Sequence, residues 1–332
     1  MGESLGLCPQ SHLLTQRIRC LRKFMEFVDR VLLLRDSPTI QKFSLTHKRG
    51  WWGFHGSLSL NRLNSWICAV TKRHVEQLIV DICLIGVGFL NLPSSLFTCM
   101  SLVELQLDEL LFTDFPSSVY LPNLSTLKMS FFFYLGNSLN QRFFSGFPML
   151  ENLSMRVFSF SDQDMEILID ICAPKLRKLH TFLFANKDKN SPYLNNVKVL
   201  IDATILEYLD IEDGCEACYL IKDEPSSLTS AEIDVGPDFF GEADWVPEFF
   251  RVFTFCHVTH LVLLSCDDLS KLPEALQRMP KLEFLDVCVV GARKGHILWK
   301  WKKIMARVTK ITSIRSFIGC SHRYCLVVCY HI

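Results

Sequence analysis

Leu206-Glu207-Tyr208-Leu209-Asp210-Ile211 places apolar residues first, fourth and sixth in a run of six. The fourth and sixth are two apart, so an extended strand sends both to one face. The first packs as the chain enters that strand. The same spacing recurs as Ile40–Phe43–Leu45, Val75–Leu78–Val80, Leu102–Leu105–Leu107, Leu124–Leu127–Met129 and Leu150–Leu153–Met155. It continues as Leu176–Leu179 with Thr181 in the sixth place, Leu228–Ala231–Ile233, Val258–Leu261–Leu263 and Leu282–Leu285–Val287. Successive starts lie 35, 27, 22, 26, 26, 30, 22, 30 and 24 residues apart.

A unit this short cannot cover its own apolar face, so neighbours must stack into one continuous core. The period is that of leucine-rich repeats. The expected fold is therefore an α/β leucine-rich-repeat solenoid, an irregular horseshoe with parallel strands on the concave face and helices and loops on the convex face. An ordinary α/β sheet protein would instead show long apolar runs and glycine-rich phosphate loops, and neither GxGxxG nor GxxxxGK[ST] occurs. Prolines punctuate the connectors at Leu121-Pro122, Phe147-Pro148, Ala173-Pro174 and Met279-Pro280, just ahead of strands. The segment Ser161–Cys172, with Ile167, Leu168 and Ile171, predicts a convex-side helix begun by Ser161 or Asp162.

The composition fits that architecture. The 332 residues are 49% hydrophobic and include 49 leucines, which excludes a disordered chain. With 35 basic against 35 acidic residues there is no surplus for general nucleic-acid binding. No apolar run approaches the length of a transmembrane helix. No secretory signal is readable at Met1–Pro9, which predicts a cytoplasmic or nuclear protein whose 14 cysteines are free thiols. Cys215 and Cys218 have ligand-like spacing, but the crowd of Cys320, His322, Cys325, Cys329 and His331 completes no regular zinc pattern. No metal or other cofactor is expected.

Phe27-Val28-Asp29-Arg30-Val31-Leu32-Leu33-Leu34-Arg35-Asp36, running into Ile40–Leu45, resembles plant F-box/leucine-rich-repeat proteins of the group that often ends in an FBD domain. Leu63-Asn64-Ser65-Trp66-Ile67, Leu92–Cys99 and Phe144-Ser145-Gly146-Phe147-Pro148-Met149-Leu150-Glu151 carry the same resemblance, which spans roughly residues 24 to 290. It implies the substrate-recognition repeats of a cullin-based (SCF-type) ubiquitin ligase receptor. In such receptors an N-terminal F-box docks on a Skp1-like adaptor. Neither the F-box nor the FBD segment is recognisable here, so adaptor docking is not expected of this chain. The expected organisation is an N-terminal helical cap over residues 1–35, a solenoid over 36–291, and a basic amphipathic helix with a divergent tail over 292–332. The cap is read from Leu14, Ile18, Leu21, Met25, Val28 and Leu32, one apolar stripe at helical spacing.

The third and fifth residues of each unit should point away from the core. In the later units these include Lys178, His180, Tyr208, Asp210, Glu232, His260, Phe284 and Asp286, mixing aromatics with charge. Exposed aromatics on a solenoid's strand face suit a protein partner, and these eight are the candidate partner-binding residues. Charge is also segregated. Residues 1–75 carry 12 basic and 4 acidic groups, residues 206–250 carry 13 acidic groups against Lys222, and residues 292–311 carry seven basic groups and no acid. The last stretch has Ile297, Trp301, Ile304, Val308 and Ile311 at helical steps, as a solenoid cap, a calmodulin target or a membrane-surface helix would. No GxSxG, HExxH or paired-carboxylate motif is present, so the expectation is a non-catalytic protein-interaction module. A hormone-type small-molecule sensor and a nonfunctional truncated paralogue are the alternatives.

Overall fold

The computed structural model describes residues 9–46, 60–81, 92–108, 119–133, 141–159, 167–185, 197–214, 217–223, 225–234, 255–264, 276–289, 313–318 and 326–331. The helices are α1 (Pro9–Leu34), α2 (Leu60–Thr71) and the short α3 (Gln141–Phe144). The first strands are β1 (Lys42–Thr46), β2 (Gln77–Asp81), β3 (Glu104–Asp108), β4 (Thr126–Phe133) and β5 (Asn152–Ser159). Then follow β6 (Ile167–Cys172), β7 (Lys178–Ala185), β8 (Val197–Asp202), β9 (Tyr208–Asp213) and β10 (Cys218–Ile221). The last are β11 (Ser230–Asp234), β12 (His260–Leu264), β13 (Phe284–Val289), β14 (Ser313–Ile318) and β15 (Leu326–His331).

One sheet of twelve strands runs β1-β2-β3-β4-β5-β7-β9-β11-β12-β13-β14-β15. From β1 to β14 every pairing is parallel, because each coil carries the chain back to start its next strand beside the last. The register aligns the repeat units with one another. Leu153 pairs with Leu179, Leu179 with Leu209, Leu209 with Ala231, and Ala231 with Leu261. The first, fourth and sixth residues of these units are buried in one core, apart from the partly buried Phe43. Each fully buried leucine contributes roughly 1.5–3 kcal/mol relative to exposure. No single contact dominates.

Two backbone devices repeat from coil to coil. The carbonyl just before each strand accepts from two consecutive amides of the next coil. Gln41, Glu76, Val103, Ser125, Glu151, Arg177, Glu207, Thr229 and Thr259 all do so, at 2.8–3.3 Å. The work falls on the backbone, so the side chain at this second position is free to vary. In the eight units from Leu102 onward, a buried residue three places before the unit accepts from the amide of the unit's first apolar residue and closes a tight turn. Leu121, Phe147, Ala173 and Met279 are four such residues. Each is followed by proline, whose fixed φ suits the second position of such a turn. The connector prolines are therefore turn formers, and the units from Leu102 onward have a further core position upstream of the hexad.

The segment Ser161–Cys172 contains no described helix; residues 167–172 form strand β6 instead. Ile167, Ile169 and Ile171 are buried in alternation, and β-branched residues at period two favour a strand. The helical reading relied on Leu168, which lies on the other side of the strand. Strand β6 joins β8 and β10 in a second, parallel sheet whose apolar side faces the same core. This part of the solenoid is thus walled by strands on both sides. The large sheet also runs past residue 291: β14 pairs parallel with β13, and β15 pairs antiparallel with β14. Register sets Ser316 beside Val287, where the hexad needs an apolar sixth residue, so the unit was hidden in the sequence. The basic stretch 292–311 and Cys215 lie outside the described residues.

At the other end, α1 packs on α2. Met25, Val28 and Leu32 of the helical stripe are buried, while Phe24, Phe27 and Val31 face outward. Asp29 holds the pair together: one carboxylate oxygen accepts from Trp66 Nε1 at 2.6 Å, and the other meets Arg62 at 3.0 Å. No described helix is long and apolar enough to cross a membrane.

Candidate functional site

The alternation that buries the fourth and sixth residues turns the third, fifth and seventh outward, so successive strands build rows across the sheet. The third-position row reads Lys178, Tyr208, Ser230, His260, Phe284. The fifth-position row reads His180, Asp210, Glu232, Val262, Asp286. All eight candidate residues therefore stand on one face of five neighbouring strands, β7, β9, β11, β12 and β13. Sequence reasoning missed the seventh-position row, where Phe182, Glu212, Asp234 and Leu264 continue the same face. The hexad ends at its sixth residue, but Ile211-Glu212-Asp213 keeps alternating, and that signal could have extended the face.

The face holds three local arrangements. His180 Nδ1 lies 2.7 Å from Asp210 Oδ2 across the β7–β9 pairing. That hydrogen bond raises the imidazole pKa against the opposing effect of burial, with the Asp210 and Glu212 charges adding to it. Burial in turn raises the Glu212 carboxyl, which His180 and Arg156 partly offset. Tyr208 donates its phenol to Glu232 at 3.2 Å. Burial, then the Asp210 and Glu232 charges, push that phenol up to about 12, so it remains a neutral donor. Finally, the imidazole of His260 stacks on Phe284, ring centroids 4.4 Å apart and planes 19° from parallel. Phe284 is 40% exposed, an aromatic that the core does not need.

His180, Asp210 and Glu212 bring three ligand-type atoms within 4.8 Å of one another. The hydrogen bond between His180 and Asp210 already accounts for that closeness, so the cluster stands complete as an ion-paired group. Beneath it, on the core side, the Thr181 hydroxyl is fully buried and has no hydrogen-bond partner. Asp213 is buried too, and accepts from the Ala217 amide at 2.9 Å to fix the turn after β9. On the second sheet, Lys222 Nζ meets Asp202 at 2.8 Å. Cys172 lies next to that pair, and burial, then the Asp202 and Asp170 charges, raise its thiol.

No family model matches the chain. Curated relatives do. An F-box protein of Arabidopsis thaliana is 30% identical over 223 residues, which is 66% of this chain and 63% of that protein. An F-box/FBD/LRR-repeat protein of the same plant is 29% identical over 217 residues, 64% of this chain and 47% of the relative. A putative FBD-associated F-box protein matches over 301 residues at 26% identity, covering 83% of this chain and 69% of the relative. The chain thus spans less than two thirds of several relatives it matches, as little as 36% for one FBD-associated F-box protein.

Proposed function

We propose that this chain, a relative of the plant F-box/FBD/LRR-repeat proteins, is a non-catalytic protein-interaction module that recognises its partner through the outward face of β7–β13. The observation that carries this reading is the continuity of that face. Eight charged, polar and aromatic residues from five strands stand in two adjacent rows, with an exposed phenylalanine at one end. A purely structural face needs no such aromatic, whereas binding surfaces are enriched in them. The relatives' names support an F-box ubiquitin-ligase setting, in which the partner would be a substrate presented for modification. A cytosolic or nuclear location goes with this reading, and among the described residues the free thiols of Cys68, Cys99, Cys172 and Cys218 fit a reducing compartment.

Proximity labelling in plant cells tests the proposal. The chain with Tyr208, Asp210, Phe284 and Asp286 all changed to Ala should lose the labelled partners of the intact chain. An unchanged partner list sinks the concave-face reading. Co-purification with a Skp1-like adaptor separately tests membership of a ligase.

A further inference from the structure

The outward positions of β9, β11, β12 and β13 carry Asp210, Glu212, Glu232, Asp234 and Asp286, and no lysine or arginine. Among the described residues, balancing charge comes from the flanks. Lys178, His180 and Arg156 stand on the β5–β7 side, and register places residue Arg315 of β14 beside Asp286. The outward positions of β1 to β5 differ. There Lys42, Lys128 and Arg156 accompany Asp81, Glu104 and Asp108, three bases against three acids. The acidic character therefore belongs to one half of the face. It coincides with the stacked pair of His260 and Phe284.

We propose that this acidic and aromatic half of the face takes an arginine-bearing segment of the protein partner. The inference rests on the concave-face reading and names the chemistry that face selects. A carboxylate row alone would accept any cation. The stacked His260–Phe284 pair beside it narrows the choice, because a guanidinium lies flat against an open ring face while its planar edge donates to carboxylates, whereas an ammonium held at a ring has no such edge to offer them. Strand spacing of about 4.8 Å and a rise of about 3.4 Å per residue put Glu232 and Asp286 roughly 7–8 Å, Cα to Cα, from the His260–Phe284 pair. Arginine side chains lying over the rings reach both. Tyr208 holds Glu232 from the far side.

Fluorescence anisotropy with the purified full chain and labelled hexa-arginine or hexa-lysine peptides at one ionic strength tests this. Hexa-arginine should bind several-fold more tightly than hexa-lysine. Phe284→Leu should erase that preference and Phe284→Tyr should keep it, each variant first checked by thermal unfolding. Glu232→Gln with Asp234→Asn should weaken both peptides about tenfold, whereas Glu104→Gln with Asp81→Asn should change neither. Equal affinities, a preference that survives Phe284→Leu, or equal weakening by the Glu104 and Asp81 changes would each overturn the proposal. Self-association abolished by Phe284→Leu would also overturn it, by assigning the patch to a second copy. If no arginine preference exists but labelling remains sensitive to the concave substitutions, this inference fails and the broader reading stands.

Discussion

His180 and Asp210 occupy equivalent positions in consecutive coils, and the pairing of β7 with β9 brings their side chains within 2.7 Å. Their bond raises the His180 pKa, so protonated His180 stabilises the fold. That stability is fully present below the unfolded imidazole value and is lost as pH rises through the folded one. Glu212, raised by burial, acts with the same sign, but from the ordinary carboxylate range upward. Denaturant unfolding between about pH 6 and pH 8.5 isolates the histidine. The intact chain should lose stability across that window, by under about 1 kcal/mol for a partly exposed pair. His180→Gln should flatten the profile, and an unchanged slope would show that the pair does not couple to folding.

Thr181 fills the sixth position of its unit, between Met155 and Ile211, with its hydroxyl buried and unpartnered. Valine has nearly the same shape without the oxygen. Thr181→Val should therefore stabilise the protein by about 1 kcal/mol, the scale of an unsatisfied buried hydroxyl. Chemical denaturation would reveal it as a higher midpoint with an unchanged slope. A lower midpoint would mean the hydroxyl has a partner in solution.

Gly146 is bound by close approach. A Cβ there would lie 2.4 Å from the Val119 carbonyl oxygen, and the Gly146 carbonyl accepts from Leu121 across the coils at 2.9 Å. The neighbour is backbone, so it cannot rotate away. Gly146→Ala should destabilise by several kcal/mol, at or above the usual range for a single substitution. Gly214→Ala, where the nearest backbone atom is 3.5 Å away, is the milder control. Similar melting temperatures for the two variants would contradict the geometry.

These sites show what the sequence made legible. The hexad predicted the register of the long sheet because a strand's period of two ties each outward residue to its buried neighbour. Aligned hexads also put His180 in register with Asp210 and His260 with Phe284, pairings that the outward residues taken unit by unit did not draw, though neither pair is close in the chain. Position 316 escaped it, since a serine there breaks the apolar pattern while backbone bonding continues. The convex side was less legible: Ile167, Leu168 and Ile171 fit a helix as well as a strand, and Ile169 decides for the strand only when alternation is weighed. The contact of Gly146 with Val119 has no signal in composition or period. It arises from how two coils meet.

The bond from Trp66 to Asp29 allows a test of whether α1 unfolds as a unit separate from the sheet. Asp29 serves Trp66 and Arg62 together, and Trp66 is 2% exposed, so removing the carboxylate leaves a buried indole N–H without its acceptor. Asp29→Ala should cost about 1–3 kcal/mol locally, and Trp66→Phe less, because it removes the donor along with the bond. Once Trp66 is phenylalanine, Asp29→Ala should cost less than it does alone, the non-additivity of partners in contact. Among the side chains described in α1, those of residues 22–34, Met25, Val28 and Leu32 are the ones buried in the core, so this end of the helix should open at low free energy. Amide hydrogen exchange should then accelerate from Met25 to Leu32 in Asp29→Ala, while β7 and β9 keep their protection. Equal acceleration in those strands would show instead that α1 and the solenoid open together.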